Sequence, residues 1–232
     1  MQESSGSSAS FVIPYLTLRR AIGLLGMCLP LVLWFGAHIV FRTGMQSSLS
    51  AYYHTGVGDI FVGTLCAIGV FFYAYQGYTG GADNDNRVGN FAGVFAIGVA
   101  LFPTEASGGI GAPITLVGIA HLVCAALFFA TLAYFVLFLF TKSHPDRERS
   151  PEKRKRDGYY RSSGYTIIGS ILLIGLLGGI RTLGLVSDAV MQAIEAWNPV
   201  FWLESAAVFA FGVAWAVKGQ AILQDPEVRR AH

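Results

Sequence analysis

Long runs of apolar residues constrain the fold of this chain more than any other feature of its sequence. The run from Ile60 to Tyr78 holds 19 residues without a charge, and the run from Ile114 to Phe140 holds 27 without an Asp, Glu, Lys or Arg. An α-helix needs about 20 apolar residues to cross the hydrocarbon core of a bilayer. Only 13% of the 232 residues are charged, whereas an ordinary soluble domain has about 25%. The sequence therefore predicts a polytopic membrane protein built from helices.

Six such segments follow one another along the chain and predict an all-α bundle of six transmembrane helices over residues 19–218. A Ser-rich segment, 1–18, is predicted to be a disordered tail, and a second tail covers 219–232. The spans are expected at about 21–41, 60–78, 88–103, 114–140, 164–180 and 200–217. Polar turns are expected at 79–87 and 108–113. An amphipathic pattern over 187–197, capped by Ser187, predicts a short helix lying on the membrane surface.

Basic residues are divided unevenly between the two ends of the predicted spans. Of the 16 Lys and Arg, 14 fall on one side, eight of them in the segment 142–161, and only Arg42 and Arg181 fall on the other. The positive-inside rule places the basic side, and with it both termini, in the cytoplasm. We expect the protein in the cell membrane, which is the inner membrane of a bacterium. The segment 142–161 is expected to be a solvated determinant of topology that contacts anionic lipid, and we do not expect it to bind nucleic acid.

Most ionisable residues of the predicted spans fall at the opposite, outer end. At a rise of about 1.5 Å per residue, His121 lies roughly 29 Å along its helix from the cytoplasmic end near Phe140. The other residues expected at this level are His38, His54, Asp59, Glu105, Arg181 and Glu204. Ionisable groups are costly to place inside a membrane, so their grouping at one level points to a functional or structural site.

Imidazole and carboxylate groups at one level predict a zinc site. His54 and His121 are the expected nitrogen ligands, with Asp59 as a third ligand or as a residue that orients one. Glu204 would serve as general base for a zinc-bound water, which predicts a metal-dependent hydrolase acting on a membrane lipid. The alternative is a non-catalytic sensor or assembly protein, in which ion pairs such as Asp59 or Glu204 with Arg181 hold the helix ends.

A working site requires His54 and Asp59 to lie within side-chain reach of His121 or Glu204. A continuous helix would place two residues five apart about 140° from each other around its axis. The two glycines between His54 and Asp59 would permit the backbone bend that brings both side chains inward.

The pattern Ser50-x-x-x-His54, followed by Asp59, resembles the superfamily of alkaline ceramidases and adiponectin receptors. Those proteins are membrane-embedded, zinc-dependent lipid amidases or their relatives, so the resemblance implies action on a lipid amide or ester, with Ser50 at the catalytic site. The chain differs in its six spans, in an earlier Asp and in having Glu204, not a His-x-x-x-His, in the last span. The segment from Ser50 to Gly63, with its Ser-x-Tyr-Tyr-His-Thr and Asp-x-Phe-Val-Gly patterns, also resembles uncharacterised bacterial multi-span membrane proteins. This second resemblance does not assign an activity to the chain.

Overall fold

The computed structural model describes residues 15–75, 83–106, 114–142 and 150–223, and within these ranges the chain is helical and contains no strand. The helices are α1 (Tyr15–Ile39), α2 (Gly58–Tyr73), α3 (Asp83–Leu101), α4 (Leu116–Tyr134), α5 (Pro151–Thr182), α6 (Asp188–Glu195) and α7 (Pro199–Lys218). A 3₁₀-helix, Ser50–His54, precedes α2, and a π-helical turn, Phe135–Leu139, continues α4. The predicted all-α class is confirmed.

Within the described ranges, four helices are long and apolar enough to cross a membrane, which supports a membrane protein. They are α1 from Leu16, α4 with its π-helical turn, α5 and α7. α2 is apolar but shorter, at 16 residues. The short amphipathic helix is confirmed as α6, and the hydroxyl of Ser187 accepts a hydrogen bond from the Val190 N–H as its cap.

Several helix ends differ from the predicted spans. α2 ends at Tyr73, five residues before the predicted end at Tyr78, and α3 begins at Asp83, five residues before the predicted start at Val88. α1 begins at Tyr15, inside the predicted tail, and α5 begins at Pro151, inside the segment predicted to be solvated. The hydroxyl of Ser150 caps α5 by accepting from the Lys153 N–H, and proline suits the first helical position. The predicted turn 108–113, residues 79–82 of the predicted turn 79–87 and the outermost parts of both tails lie outside the described residues. Residues 83–87 of that turn are helical and belong to α3.

Six of the helices form a closed ring in the spatial order α1, α2, α3, α4, α5, α7. Two neighbouring pairs cross at glycines. A Cβ placed on Gly23 of α1 would lie 2.9 Å from the carbonyl oxygen of Gly212 of α7, and a Cβ on Gly212 would lie 2.7 Å from that of Gly23. Gly69 of α2 and Gly93 of α3 face each other in the same way, at 2.9 and 2.7 Å. Such small residues let membrane helices approach closely.

Aromatic side chains fill the interior of the ring at the end formed by the start of α1 and the end of α7, which we call the basic end. The rings of Phe72, Phe135, Phe211 and Trp215 pack with centroids 5.3–5.9 Å apart. Each of the four is at most 1% exposed. Buried polar side chains lie at both ends of the ring: Arg19, Asp85 and Asp157 at the basic end, and Ser50 and His121 toward the opposite end. The opposite end carries the 3₁₀-helix and α6, and we call it the loop end.

Candidate functional site

The 3₁₀-helix lies at the loop end and is held there by α7. The backbone N–H of Leu49 donates to Glu204 Oε2 at 2.6 Å, and the N–H of Ser50 bonds the same carboxylate. Close by, the Phe201 N–H donates to the carbonyl oxygen of Ser47 at 3.0 Å. The first N–H groups of a helix have no partner within it, so a carboxylate there supplies the missing acceptor and favours the helix dipole.

Two glycines allow the chain to pack tightly between the 3₁₀-helix and α2. A Cβ on Gly56 would overlap the ring of Phe41, and a Cβ on Gly58 would overlap the carbonyl oxygen of Tyr53. These glycines were expected to permit a bend in the backbone. The structure adds a steric reason for them, because no larger residue fits at either position without a shift of its neighbours.

His121 of α4 is 2% exposed and binds the end of α3. Its Nδ1 lies 2.7 Å from the carbonyl oxygen of Phe102. Because a carbonyl oxygen only accepts hydrogen bonds, Nδ1 carries the proton, and a neutral imidazole then keeps its lone pair on Nε2. The bond satisfies a carbonyl group near the end of α3, where carbonyls lack partners within the helix.

Glu105, in the segment after α3, binds the start of α4. Its Oε1 accepts from the hydroxyl of Thr115 at 2.6 Å and from the N–H of Thr115 at 2.7 Å. These two bonds hold the pKa of Glu105 below its ordinary value of 4.5. The stabilisation is therefore complete above that value and is lost as the pH falls through the lowered pKa. A Cβ on Gly118 would overlap this carboxylate, so the glycine makes room for the contact.

A cavity of about 40 Å³ lies between the 3₁₀-helix and the interior of the ring. Its polar lining comes from Ser50, His121 and Glu204, and the remaining lining is apolar. One water molecule occupies about 30 Å³ in the liquid. The cavity therefore has room for water or for a single ion, and it is too small for a lipid head group.

Two of the predicted site residues lie outside this cavity. His54 is exposed, and its Nε2 lies 2.7 Å from the carbonyl oxygen of Thr104. Asp59 is exposed in the first turn of α2. Thr55 between them is extended, so the 3₁₀-helix and α2 are separate elements and set the two side chains independently. The fold thus brings His121 and Glu204 to one cavity and leaves His54 and Asp59 exposed on the surface of the protein.

The described ranges contain no group of three His, Cys, Asp or Glu side chains that could hold a metal ion. The cavity offers one imidazole, from His121, and one carboxylate, from Glu204. A catalytic zinc ion ordinarily has three protein ligands. The residues present therefore do not form a complete zinc site, and the predicted set of His54, His121 and Asp59 stays a prediction.

Arg181 does not take the partner that the sequence analysis offered as an example. Its Nη1 lies 3.3 Å from Oδ1 of Asp188, in the first turn of α6, and not beside Asp59 or Glu204. The side chain of Asp188 is 89% exposed. Such an exposed pair contributes little to stability, at most about 1 kcal/mol.

Sequence reasoning missed the contact between Glu105 and Thr115 and the backbone partners of Glu204. One signal was present, because Thr115 directly precedes an apolar run and Thr is a common helix cap. The Thr115 hydroxyl does accept from the Gly118 N–H at 3.1 Å. The backbone N–H of Leu49 carried no signal, since every residue except proline has one.

Comparison of the chain with models of known protein families, with curated proteins and with solved structures found no match. The resemblance to alkaline ceramidases and adiponectin receptors therefore stays a prediction that rests on Ser50, His54 and Asp59. Evidence on the function of the chain therefore comes only from its own structure.

Proposed function

We propose that the chain is a six-span protein of the bacterial inner membrane with both termini in the cytoplasm. α2 and α3, of 16 and 19 residues, stand in the same closed ring as the four helices of spanning length. The orientation rests on charge, since 14 of the 16 Lys and Arg fall at the basic end or in the segments joined to it.

Cysteine labelling in spheroplasts tests this topology. In a background without the three native cysteines, Lys155→Cys in α5 and Gln192→Cys in α6 each place a thiol at an exposed position. We expect a membrane-impermeant maleimide to label Gln192→Cys directly and Lys155→Cys only after the membrane is permeabilised. Direct labelling of Lys155→Cys would show that the basic end faces outward.

The function that the geometry supports best is non-catalytic, that of a membrane sensor or assembly protein whose polar groups at the loop end are structural. One observation supports this function: four polar side chains each bind a backbone group of another element. Backbone groups at helix ends have no partner within their own helix, so these side chains supply the missing partners. These bonds are Glu204 to the N–H of Leu49, His121 to the oxygen of Phe102, His54 to the oxygen of Thr104, and Glu105 to the N–H of Thr115.

Membrane lipid is the partner that we propose for the sides of the bundle. A groove of about 280 Å³ runs between α4 and α5, and it is lined by side chains such as Ala133, Leu137, Ile168 and Leu172. In α5, the residues from Ile171 to Thr182 include none that is buried. Apolar surface of this kind is stable next to acyl chains and not next to water.

Metal analysis of the purified protein tests the non-catalytic function. Because the fold does not complete a set of three ligands, we expect zinc and other transition metals far below one ion per chain. Protein purified without chelators and measured by mass spectrometry of its elements gives the ratio directly. One tightly held metal ion per chain would favour the hydrolase over the structural function.

A second function, hydrolysis of an amide or ester of a membrane lipid, is favoured by one observation. Ser50, His121 and Glu204 line the same cavity, and a neutral His121 whose Nδ1 proton binds the Phe102 oxygen has Nε2 as its basic nitrogen. Because the cavity is too small for a head group, substrate would enter only after the 3₁₀-helix moves. Release of fatty acid from membrane lipids by the wild type, lost in Ser50→Ala, would support this function.

A further inference from the structure

A group of charged side chains gathers at the basic end of the ring, over the aromatic side chains that fill its interior. We call it the basic cluster; its cations are Arg19, Lys142, Lys153, Arg156 and Lys218, and its carboxylates are Asp85 and Asp157. These residues come from α1, α3, α5, α7 and the segment after α4. The cluster is not a loose surface patch, because Arg19, Asp85 and Asp157 are at most 8% exposed.

Aromatic rings support three of the cations. The guanidinium carbon of Arg19 lies 5.7 Å from the ring centre of Tyr75, and Lys218 Nζ lies 5.1 Å from that of Phe140. Lys153 Nζ lies 5.7 Å from the ring centre of Tyr160. Cation–π contacts of this kind hold a cation on the ring face. The positive groups are therefore fixed in place at this mouth of the bundle.

Ion pairs fix two further positions in the basic cluster. Lys142 Nζ lies 3.0 Å from Asp85 Oδ1. Lys153 Nζ pairs with Asp157 and donates to the carbonyl oxygen of Phe140 at 3.1 Å. Each carboxylate of the cluster is thus already engaged by a lysine.

Positive charge exceeds negative charge in the basic cluster. Arg19, Lys153 and Arg156 all lie close enough to Lys218 to repel its ammonium group, whereas Asp85 is the carboxylate that attracts it. Counted over all described residues at this end, ten Lys and Arg (19, 20, 87, 142, 153–156, 161 and 218) stand against four acidic residues (83, 85, 152 and 157). The segments 143–149 and 224–232, outside the described residues, each contain two acidic residues and two Arg and therefore carry no net negative charge. An anion bound here would relieve the repulsion.

We propose that the basic cluster binds a phosphate group, supplied by the head group of an anionic phospholipid in the adjacent leaflet. Arginine and lysine are the side chains that bind phosphate oxygens in proteins. The cluster stands at the ends of helices of spanning length, where head groups lie, and anionic lipids are attracted to such basic sites. The proposal goes beyond the function above and rests only on the bundle being in a membrane.

Lipid binding to the purified protein in neutral detergent tests the proposal by native mass spectrometry. We expect phosphatidylglycerol to bind more tightly than phosphatidylcholine. Lys153→Gln and Arg156→Gln should each weaken phosphatidylglycerol binding about fivefold, the effect of one basic residue near such a lipid. Lys155→Gln is the matched control, because Lys155 lies on the same helix with the same charge and is exposed.

Three results would overturn the proposal in distinct ways. Equal weakening by Lys155→Gln and Lys153→Gln would mean that the attraction is diffuse surface charge. Because phosphatidylcholine also carries a phosphate but no net charge, equal binding of the two lipids would remove the preference for an anionic head group and with it the proposal. Binding of inorganic phosphate that displaces the lipid head group at similar concentration would overturn the lipid as the source. The assay counts bound lipid on folded protein and depends neither on membrane orientation nor on the function of the loop end.

Discussion

Gly212→Ala is expected to lower the free energy of unfolding by about 3 kcal/mol, at the upper end of the usual cost of overpacking. The added Cβ would lie 2.7 Å from both the oxygen of Gly23 and the N of Met27 on α1. Both atoms belong to the backbone of α1, which cannot rotate away, so α1 and α7 would have to separate. The contact between α1 and α7 is, with that between α5 and α7, one of the two most extensive in the ring. Unfolding in detergent, followed by heat or by added denaturing detergent, measures the loss.

Gly175→Ala is the matched control for Gly212→Ala. Gly175 lies in α5, and a Cβ there would meet nothing within 4 Å. Alanine is favoured over glycine inside a helix by about 1 kcal/mol, so this variant should be as stable as the wild type or slightly more stable. If Gly212→Ala behaved like Gly175→Ala, the close crossing of α1 and α7 would be wrong.

The sequence predicted the helices because long apolar runs carry their own signal. Residues 114–140 and 200–217 match α4 with its π-helical turn and α7 to within about two residues at each end. The apolar segments also contain many glycines, and only some of them are packing positions. Gly23, Gly69, Gly93 and Gly212 are such positions, whereas Gly175 is not. A glycine's role depends on the rotation of the neighbouring helix, and the sequence of one helix does not contain that information.

The candidate site was predictable only in part for a similar reason. Depth along a helix follows from counting residues, so the sequence placed His121 and Glu204 at one level, and both line the cavity. The depth of a residue along a helix does not determine the direction in which its side chain points. His54 and Asp59 lie near the same level but are exposed, because Gly58 starts a new helix after the extended Thr55. Whether side chains at one level converge depends on loop geometry.

Glu204→Ala is expected to lower the free energy of unfolding by about 2–3 kcal/mol, the cost of leaving a buried donor without its charged acceptor. The N–H of Leu49, 2.6 Å from Glu204 Oε2, would lose its partner, and the cavity beneath the 3₁₀-helix would grow. Glu204→Gln should cost less than about 1 kcal/mol, because the amide oxygen accepts the same N–H with the shape of the side chain kept. Thermal unfolding in detergent compares the two variants.

Hydrogen exchange locates the effect of Glu204→Ala within the chain. If the carboxylate holds the 3₁₀-helix, amide exchange over residues 45–53 should rise strongly in Glu204→Ala and stay near the wild type in Glu204→Gln. Ser205→Ala, the neighbouring position on α7, is the control and should leave exchange in this segment unchanged. Suppose instead that Glu204→Gln loosens the segment as much as Glu204→Ala. The negative charge itself, and not the acceptor oxygen, would then be required, and an ion bound between Glu204 and His121 would replace the structural role as the better explanation.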